Sequence, residues 1–381
     1  MARIVEVRSR RDLRRFIDFP YSFYKDHPYW VPQLRKEIRH TLSRKKNAFF
    51  EHGDMALFLA LDDSGTVVGR IASILNGMHL KTHQDGTGFF GFFEVEERYE
   101  TAEALFEAAA AWARARGLRA LRGPTNPTLN DLSALLVSGF DRMPAILMPY
   151  NHPYYEEYLT RWGFRRVMKI WAYYIHYKHA NFERMKRGAK IVRRRNPGLS
   201  LRTLDMSRYY EDVEIMRDIW NDGWERNWGF VPITRNEFRQ LAKEFKDVVD
   251  PRICFILEND GEPVAFSVSL PNINPALKKV PDGRLFPFGL AKILLHDKFG
   301  GFNEVRMPLM GVKKAYHGRA FDVLPVLETM IQCPSHGYAA CETSWVLDSN
   351  HVLKNLLTAI GTAVDKEYVL LEKDISTPGA A

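Results

Sequence analysis

Residues 149–164, PYNHPYYEEYLTRWGF, and residues 346–361, VLDSNHVLKNLLTAIG, read as one phrase written twice. In each, an Asn (Asn151, Asn350) closes an apolar, strand-like run and a helical stretch of about three turns follows. A Gly (Gly163, Gly361) then stands where a C-terminal left-handed residue is wanted. A phrase repeated at this distance predicts a duplicated fold rather than two unrelated domains.

The flanks repeat in the same order. Ahead of the first phrase come a strand at Ile4 to Val7, helices through Tyr24 and Arg39, and two apolar runs, MALFLAL and VVGRIASIL, about the turn Asp62 to Gly65. Ahead of the second come a strand at Leu199 to Leu204, helices around Trp220 and Phe238, and the runs CFILE and PVAFSVSL about Asn259, Asp260 and Gly261. Each half continues with a strand and a long amphipathic helix: FFGFFEV with TAEALFEAAAAWARARG, then EVRMPLMGV with FDVLPVLETMIQCPSHG. Closing strands come after the phrases, at IWAYYIHY and EYVLLEK. These patterns predict an α/β (α+β mixed-sheet) chain with an N-terminal domain at 1–177, a basic connector at 178–198 and a C-terminal domain at 199–381.

Composition limits the function classes. At 381 residues, 46% apolar and 13% aromatic, the chain can bury real cores. Its three cysteines, Cys254, Cys333 and Cys341, have no metal-ligand spacing and cannot all pair, so a reducing, cytoplasmic setting and no metal are expected. Charges interrupt MARIVEVRSRRDLRRF before any signal-peptide core forms, and no apolar run reaches a membrane span of roughly 18 to 20 residues. A formal charge of +8 asks for an anionic partner: a phosphorylated cofactor, lipid head groups or nucleic acid.

The order strand, two helices, hairpin, strand, long helix, strand, helix, strand resembles the GNAT superfamily of N-acyltransferases, here as two tandem GNAT-like domains. The phrases NHPYY, NWGFVP (227–232) and SWVLDSN (344–350) resemble a bacterial two-half group, one branch of which is similar to the bacterial ceramide synthases. That resemblance implies an acyl-CoA cosubstrate, an amine acceptor and a pyrophosphate-holding loop of pattern (Arg/Gln)-x-x-Gly-x-(Gly/Ala) before the long helix. Glycines serve such a loop because its backbone must approach the phosphates at a helix N-terminus.

The matching stretch is GVKKAYHGRAF, 311–321, and it departs from the pattern. His317 takes the Arg/Gln position, Ala320 the first glycine and Asp322 the second. By resemblance Val312, Lys313, Lys314, Gly318, Arg319, Ala320 and Asn350 bind the cofactor, with the lysines and Arg319 offsetting Asp322. The first half has Glu94, Glu96, Glu97 and Glu100 at the equivalent place, which repel phosphates. The resemblance therefore implies an active C-terminal half and an N-terminal half that frames the acceptor.

Deprotonating a lysine-like amine at pH 7 costs about 4.6 kcal/mol, so a base is useful. Glu342, inside the apolar run GYAACETSW, Asp348 and His317 are the candidates. Each has a plainer alternative: an Arg partner across the sheet, a helix cap, and a solvated turn. Leu357 stands where many members of the resembling family place a Tyr acid, and Tyr158, its counterpart, reads as core. Asn126, Asn130 and Asn151 are the candidate acceptor-binding residues, the first two in the insertion GPTNPTLNDLSALLVSGFD. A second insertion, 272–302, carries an apolar helix around Phe288 to Leu295 that lines an acyl site or simply packs. In the connector, Phe182, Met185, Ala189 and Val192 share a stripe, while Arg184, Lys186, Arg187, Lys190, Arg193, Arg194 and Arg195 cover the rest. Such a helix docks by its stripe or lies on the inner face of an anionic membrane as a peripheral contact. Nucleic acid is not expected, since no binding module accompanies the charge. Ala320, Asp322 and Leu357 also leave open a GNAT scaffold that has lost catalysis and serves as a binding or regulatory protein.

Overall fold

The computed structural model describes residues 2–376. The first half runs β1 (Arg3–Glu6), α1 (Arg10–Phe23), α2 (Arg35–Thr41), β2 (Gly53–Leu61), β3 (Val67–Asn76), α3 (Gly77–His83), β4 (Thr87–Val95) and α4 (Tyr99–Arg114). It continues with β5 (Ala120–Gly123), β6 (Thr125–Asn126), β7 (Leu132–Ser133), β8 (Leu135–Ser138), α5 (Tyr155–Trp162) and β9 (Arg165–His176). After the connector helix α6 (Glu183–Arg195) come β10 (Leu199–Thr203), α7 (Tyr209–Gly223), α8 (Arg235–Phe245), β11 (Phe255–Asn259) and β12 (Glu262–Pro271). The chain then forms α9 (Asn274–Leu277), α10 (Gly289–Gly300), β13 (Glu304–Val312), α11 (Val323–Ser335), β14 (Ala340–Leu347), α12 (His351–Ala359) and β15 (Ala363–Asp374).

Two compact units result, and they do not coincide with the two halves of the sequence. Unit 1 comprises Met1–Ile170, Asn274–Leu294 and Lys366–Ala381; unit 2 comprises Trp171–Ile273 and Leu295–Asp365. Unit 1 orders its strands β1-β2-β3-β4-β5-β15, so its sheet is closed by the last strand of the chain. Leu371 pairs with Gly123 and Asp374 with Ala120, antiparallel, while Val369 pairs with Leu135 of β8. In unit 2 the order is β10-β11-β12-β13-β14, with the Trp171–His176 part of β9 beside β14. The closing strands are therefore exchanged between the halves. Period-2 alternation tells a strand which face to bury, but not which open edge to join.

The insertion of the second half also belongs largely to unit 1. Arg35 Nε donates to the Asp282 carbonyl at 2.6 Å, Lys278 Nζ to the Trp30 carbonyl at 2.8 Å, and Asn274 Nδ2 to the Pro144 carbonyl at 2.8 Å. Gly283, at φ +63°, lets the chain come so close that a Cβ would lie 2.5 Å from the Gln33 carbonyl oxygen. No side chain fits there.

The cores arise from local patterning. In α4 the buried Ala102, Leu105, Phe106, Ala109 and Ala113 fall on one face, and small residues let the helix sit close to β3, where Ser73 Oγ donates to the Ala109 carbonyl at 2.9 Å. In unit 2, α11 buries Leu324, Leu327, Met330 and Cys333 in a cluster that also takes in Met185, Ala189 and Val192 of α6, with Phe182 packed at its margin. The connector stripe thus docks into a core. Its seven cations stay exposed, and the three cysteines are buried free thiols.

The two copies of the repeated phrase differ at their start. Asn350 caps α12, its Oδ1 accepting from Leu353 N–H at 3.1 Å, whereas α5 begins only at Tyr155 and Asn151 lies outside it. The expected three-turn helix of the first copy is two turns, because Pro153 and the strand-like use of Asn151 delay its entry. Both glycines take the expected left-handed conformation, at φ +106° for Gly163 and +92° for Gly361.

Leu371, fully buried in unit 1, gives a direct measure of the strand exchange. Leu371→Ala should cost about 2–5 kcal/mol in urea unfolding. A fragment ending at residue 177, which lacks β15, should fail to give a cooperative transition by circular dichroism.

Candidate functional site

A parallel pair that separates part-way leaves backbone groups without a neighbouring strand, and both units contain one. In unit 2, β13 and β14 pair in register from Glu304↔Ala340 to Met307↔Thr343, and from there to Val312 the described pairing of β13 is with β12. A register shift between Val268 and Leu270 of β12 sets Met307 and Pro308 against Ser269 alone, so the bulge lies in β13. Lys313 N–H donates to the Val264 carbonyl of β12 at 2.8 Å, so by strand alternation Val312 and Met310 turn their backbone groups to the other side. Their carbonyls there accept from His317 Nε2 at 2.9 Å and Trp224 Nε1 at 2.9 Å. By the same alternation the N–H groups of Met310 and Val312 lie on that side, where Gly223 at the end of α7 packs so close that a Cβ would stand 2.3 Å from the Val312 carbonyl oxygen.

In unit 1, β4 and β5 pair only from Thr87↔Ala120 to Phe89↔Arg122, and the chain's own side chains fill the opening beyond. Asn126 Oδ1 accepts from Phe92 N–H at 2.6 Å; Tyr155 Oη accepts from Val95 N–H at 3.0 Å; Tyr154 Oη donates to the Val95 carbonyl at 2.7 Å. Burial pushes the phenols of Tyr154 and Tyr155 well above their ordinary range, so both stay neutral donors. Burial, with His27 nearby, lowers His152 to about 4, and it stacks between Tyr24 and Tyr154 as a neutral ring.

Each residue singled out from the sequence has a definite place. Asn126 closes the unit 1 opening. Asn130 is an exposed turn residue whose N–H donates to Thr128 Oγ1, and Asp131 receives Thr128 from the other side. Asn151 is buried and mimics a strand: its Oδ1 accepts from Leu136 N–H at 2.8 Å and its Nδ2 donates to the Leu136 carbonyl at 3.1 Å. Tyr158 is a core residue.

In unit 2, Val312, Lys313, Lys314, His317, Gly318, Arg319 and Ala320 lie in succession from the end of β13 into the turn before α11. Gly318 is at φ +79° and Ala320 at φ +57°, so Ala320 keeps a conformation that glycine adopts freely. The lysines are tied down: Lys313 pairs with Glu262 at 2.7 Å and Lys314 with Glu225 at 2.6 Å. Arg319 is exposed, its guanidinium 5.3 Å from the Tyr316 ring centre. Asp322 precedes the first turn of α11, and burial raises its carboxyl above the usual range against the pull of its own and Val323's N–H.

Glu342 is buried on β14 directly across the register from Arg306, which is equally buried. Ser344 joins them: its Oγ donates to Glu342 Oε1 at 2.7 Å and accepts from Arg306 Nε at 2.8 Å. Asp348 sits at the end of β14, where its Oδ1 accepts from Trp171 Nε1 at 2.8 Å and pairs with Lys354 at 2.6 Å. Asn350, not Asp348, caps α12.

The Arg expected across the sheet from Glu342 is Arg306, joined to it through Ser344, whereas Trp224, Trp171 and the Tyr154/Tyr155 pair are not among the sequence candidates. Arg306 carried a signal, a lone cation in EVRMPLMGV that matches the lone anion in GYAACETSW. Trp224 carried none, because its reach to Met310 depends on where α7 ends.

Paired units with a splayed parallel strand pair, each with a hairpin before it and a helix and closing strand after it, define the tandem GNAT N-acyltransferase fold. A tandem GNAT protein from the clavulanic acid biosynthesis pathway, solved without AcCoA, is similar with a TM-score of 0.59 at 13% identity, covering 99% of both chains. No family model matches the chain. Protein YghO of Escherichia coli (strain K12) is 35% identical over 374 residues, 96% of this chain and 94% of that protein. A bacterial ceramide synthase of Caulobacter vibrioides is 36% identical over 375 residues, 97% of each. The chain belongs to this family of two-half bacterial GNAT proteins, with the bacterial ceramide synthase and YghO as members.

Asp322 offers a test of the turn. A carboxyl whose folded pKa is raised binds its proton more tightly when folded, so stability is highest below the ordinary carboxylate range and falls as pH rises through the raised value. Asp322→Asn should flatten that fall in thermal unfolding scans between acid and neutral pH.

Proposed function

We propose that this protein is an acyl-CoA-dependent N-acyltransferase whose reaction takes place in unit 2, and that it transfers a long-chain acyl group to a sphingoid-type lipid amine. One contrast carries the reading: the same strand opening is filled by Asn126, Tyr154 and Tyr155 in unit 1, while in unit 2 Met310 and Val312 turn N–H groups toward it. The full-length likeness to a bacterial ceramide synthase supports the acceptor and acyl class.

In this reading the thioester carbonyl lies against the Met310 and Val312 N–H groups, which stabilise the oxyanion as the amine attacks. The pyrophosphate is held at the Gly318 turn and the first turn of α11 by backbone N–H groups and Arg319. Glu342, directly or through Ser344 or a water, takes the proton the amine loses, and CoA leaves as a thiolate. A thiol of ordinary pKa near 8.5 leaves readily, so Leu357 in place of an acid is tolerated. The C–N bond forms, the C–S bond breaks, and an amide and free CoA result. The exposed cations of α6, Arg184 to Arg195, would hold the protein against anionic head groups at the membrane where such an amine resides.

A second reading, a scaffold that binds without catalysis, has one observation in its favour: Lys313 and Lys314, two of the cations at the turn, are neutralised by Glu262 and Glu225. Calorimetric titration with acetyl-CoA and palmitoyl-CoA, then mass spectrometry of sphinganine mixed with the acyl-CoA that binds, separates the two. Binding with N-acylsphinganine formation is expected. Binding of either thioester without product from any amine would favour the scaffold, and binding of neither would end the catalytic reading. Glu342→Gln should lower kcat by about 10²-fold with KM for the acyl-CoA nearly unchanged, within the usual range for a general base.

A further inference from the structure

The 274–283 part of the second insertion is anchored to unit 1 by Asn274, Lys278 and the backbone at Asp282 and Gly283. Beyond Gly283 the large apolar side chains lose that cover. Phe286 is 72% exposed, Phe288 71%, Leu294 59% and Leu290 38%. Single exposed apolar residues are ordinary, but two phenylalanines and two leucines within nine residues are not. Between Arg284 and His296 the chain has two cations, Arg284 and Lys292, and no carboxylate. Both cations are exposed, and among the described residues neither has an ion-pair partner.

We infer that residues 284–294 are a membrane-insertion tip: Phe286, Phe288, Leu290 and Leu294 enter the head-group and acyl boundary of an anionic phospholipid bilayer, while Arg284 and Lys292 reach back to lipid phosphates. Exposed apolar side chains flanked by long cations match that interface, where the apolar part is buried and the charge stays hydrated. A protein partner fits less well. Two phenylalanines and two partly covered leucines present on the order of 500 Å², short of the roughly 800 Å² per partner of a stable interface. No helix among the described residues is long and apolar enough to cross a membrane, so the contact is interfacial. The inference rests on the lipid-amine reading for its purpose, because the tip would bring unit 1 to the surface where that substrate is dissolved.

The test is flotation of the full chain with vesicles of equal parts phosphatidylglycerol and phosphatidylcholine, and with phosphatidylcholine alone. Native protein should float with the anionic vesicles, and Phe286→Ser/Phe288→Ser/Leu294→Ser should lose roughly tenfold or more in affinity. The same variant should keep native unfolding and native turnover of a short-chain, water-soluble amine. An environment-sensitive fluorophore on Phe288→Cys, selective because the native thiols are buried, should brighten on vesicle addition. The tip is overturned if the serine variant floats as well as native protein, or if the fluorophore does not respond. It is equally overturned if native protein sediments as a dimer that the variant converts to monomer without vesicle binding, which would make a second copy the occupant. Tip-dependent flotation without turnover of any amine supports the tip and removes the enzymatic reading; turnover without flotation does the reverse.

Discussion

The end of parallel pairing after Met307 and Thr343 is the constraint around which unit 2 is arranged. Backbone groups beyond that point must find partners or face a ligand, since burying them unmet costs about as much as a lost hydrogen bond. Trp224 and His317 take the carbonyls of Met310 and Val312, which fixes the strand edge while leaving its donors directed at the opening. Trp224 stacks on Trp220 with ring centres 4.0 Å apart, so the indole that holds Met310 is itself held by the end of α7. The strand edge is thus held from α7 on one side and from the 313–317 turn on the other.

Unit 1 meets the same constraint by the opposite solution. Asn126 and two tyrosines supply internally what a ligand would supply in unit 2, and the buried phenols remain protonated and able to donate. The acidic run Glu94 to Glu100 therefore sits beside a place that is already full. Glu94 of that run is itself paired with Arg70, and Glu96 accepts from Thr101.

Much of this was legible in the residues, and the limits have physical causes. Element order, the extents of β13 and α4, the docking stripe of α6 and the helix stops at Gly163 and Gly361 all derive from local periodicity and backbone preference. The exchange of β9 and β15 does not, because YVLLE and AYYIH carry equally good strand patterns and neither names its partner. For the same reason Asn126 and Asn151 read as acceptor-binding groups: a side-chain amide in sequence shows its donors and acceptors, not whether a backbone such as Phe92 or Leu136 will use them. Arg306 and Glu342 stand between these cases, since two lone charges in two apolar strands predict each other once the strands are known to be neighbours.

Charge distribution completes the division between the units. Of the formal +8, the part nearest the Gly318 turn is largely cancelled, with Lys313 and Lys314 bound to Glu262 and Glu225 and Asp322 before the helix. A dense group of cations lies on α6, where among the described residues Lys186 alone finds an acid, Glu183, at 3.1 Å. Salt bridges between exposed side chains are worth little and screen readily. At the turn, Arg319 is the one cation that has no acid beside it among the described residues. The α6 helix is docked by Met185, Ala189 and Val192, and its cations lie on the exposed opposite face. In the proposed reading, an anion held by backbone geometry at the turn and a surface attraction carried by the α6 charges are separable properties, and salt should weaken the second much more than the first.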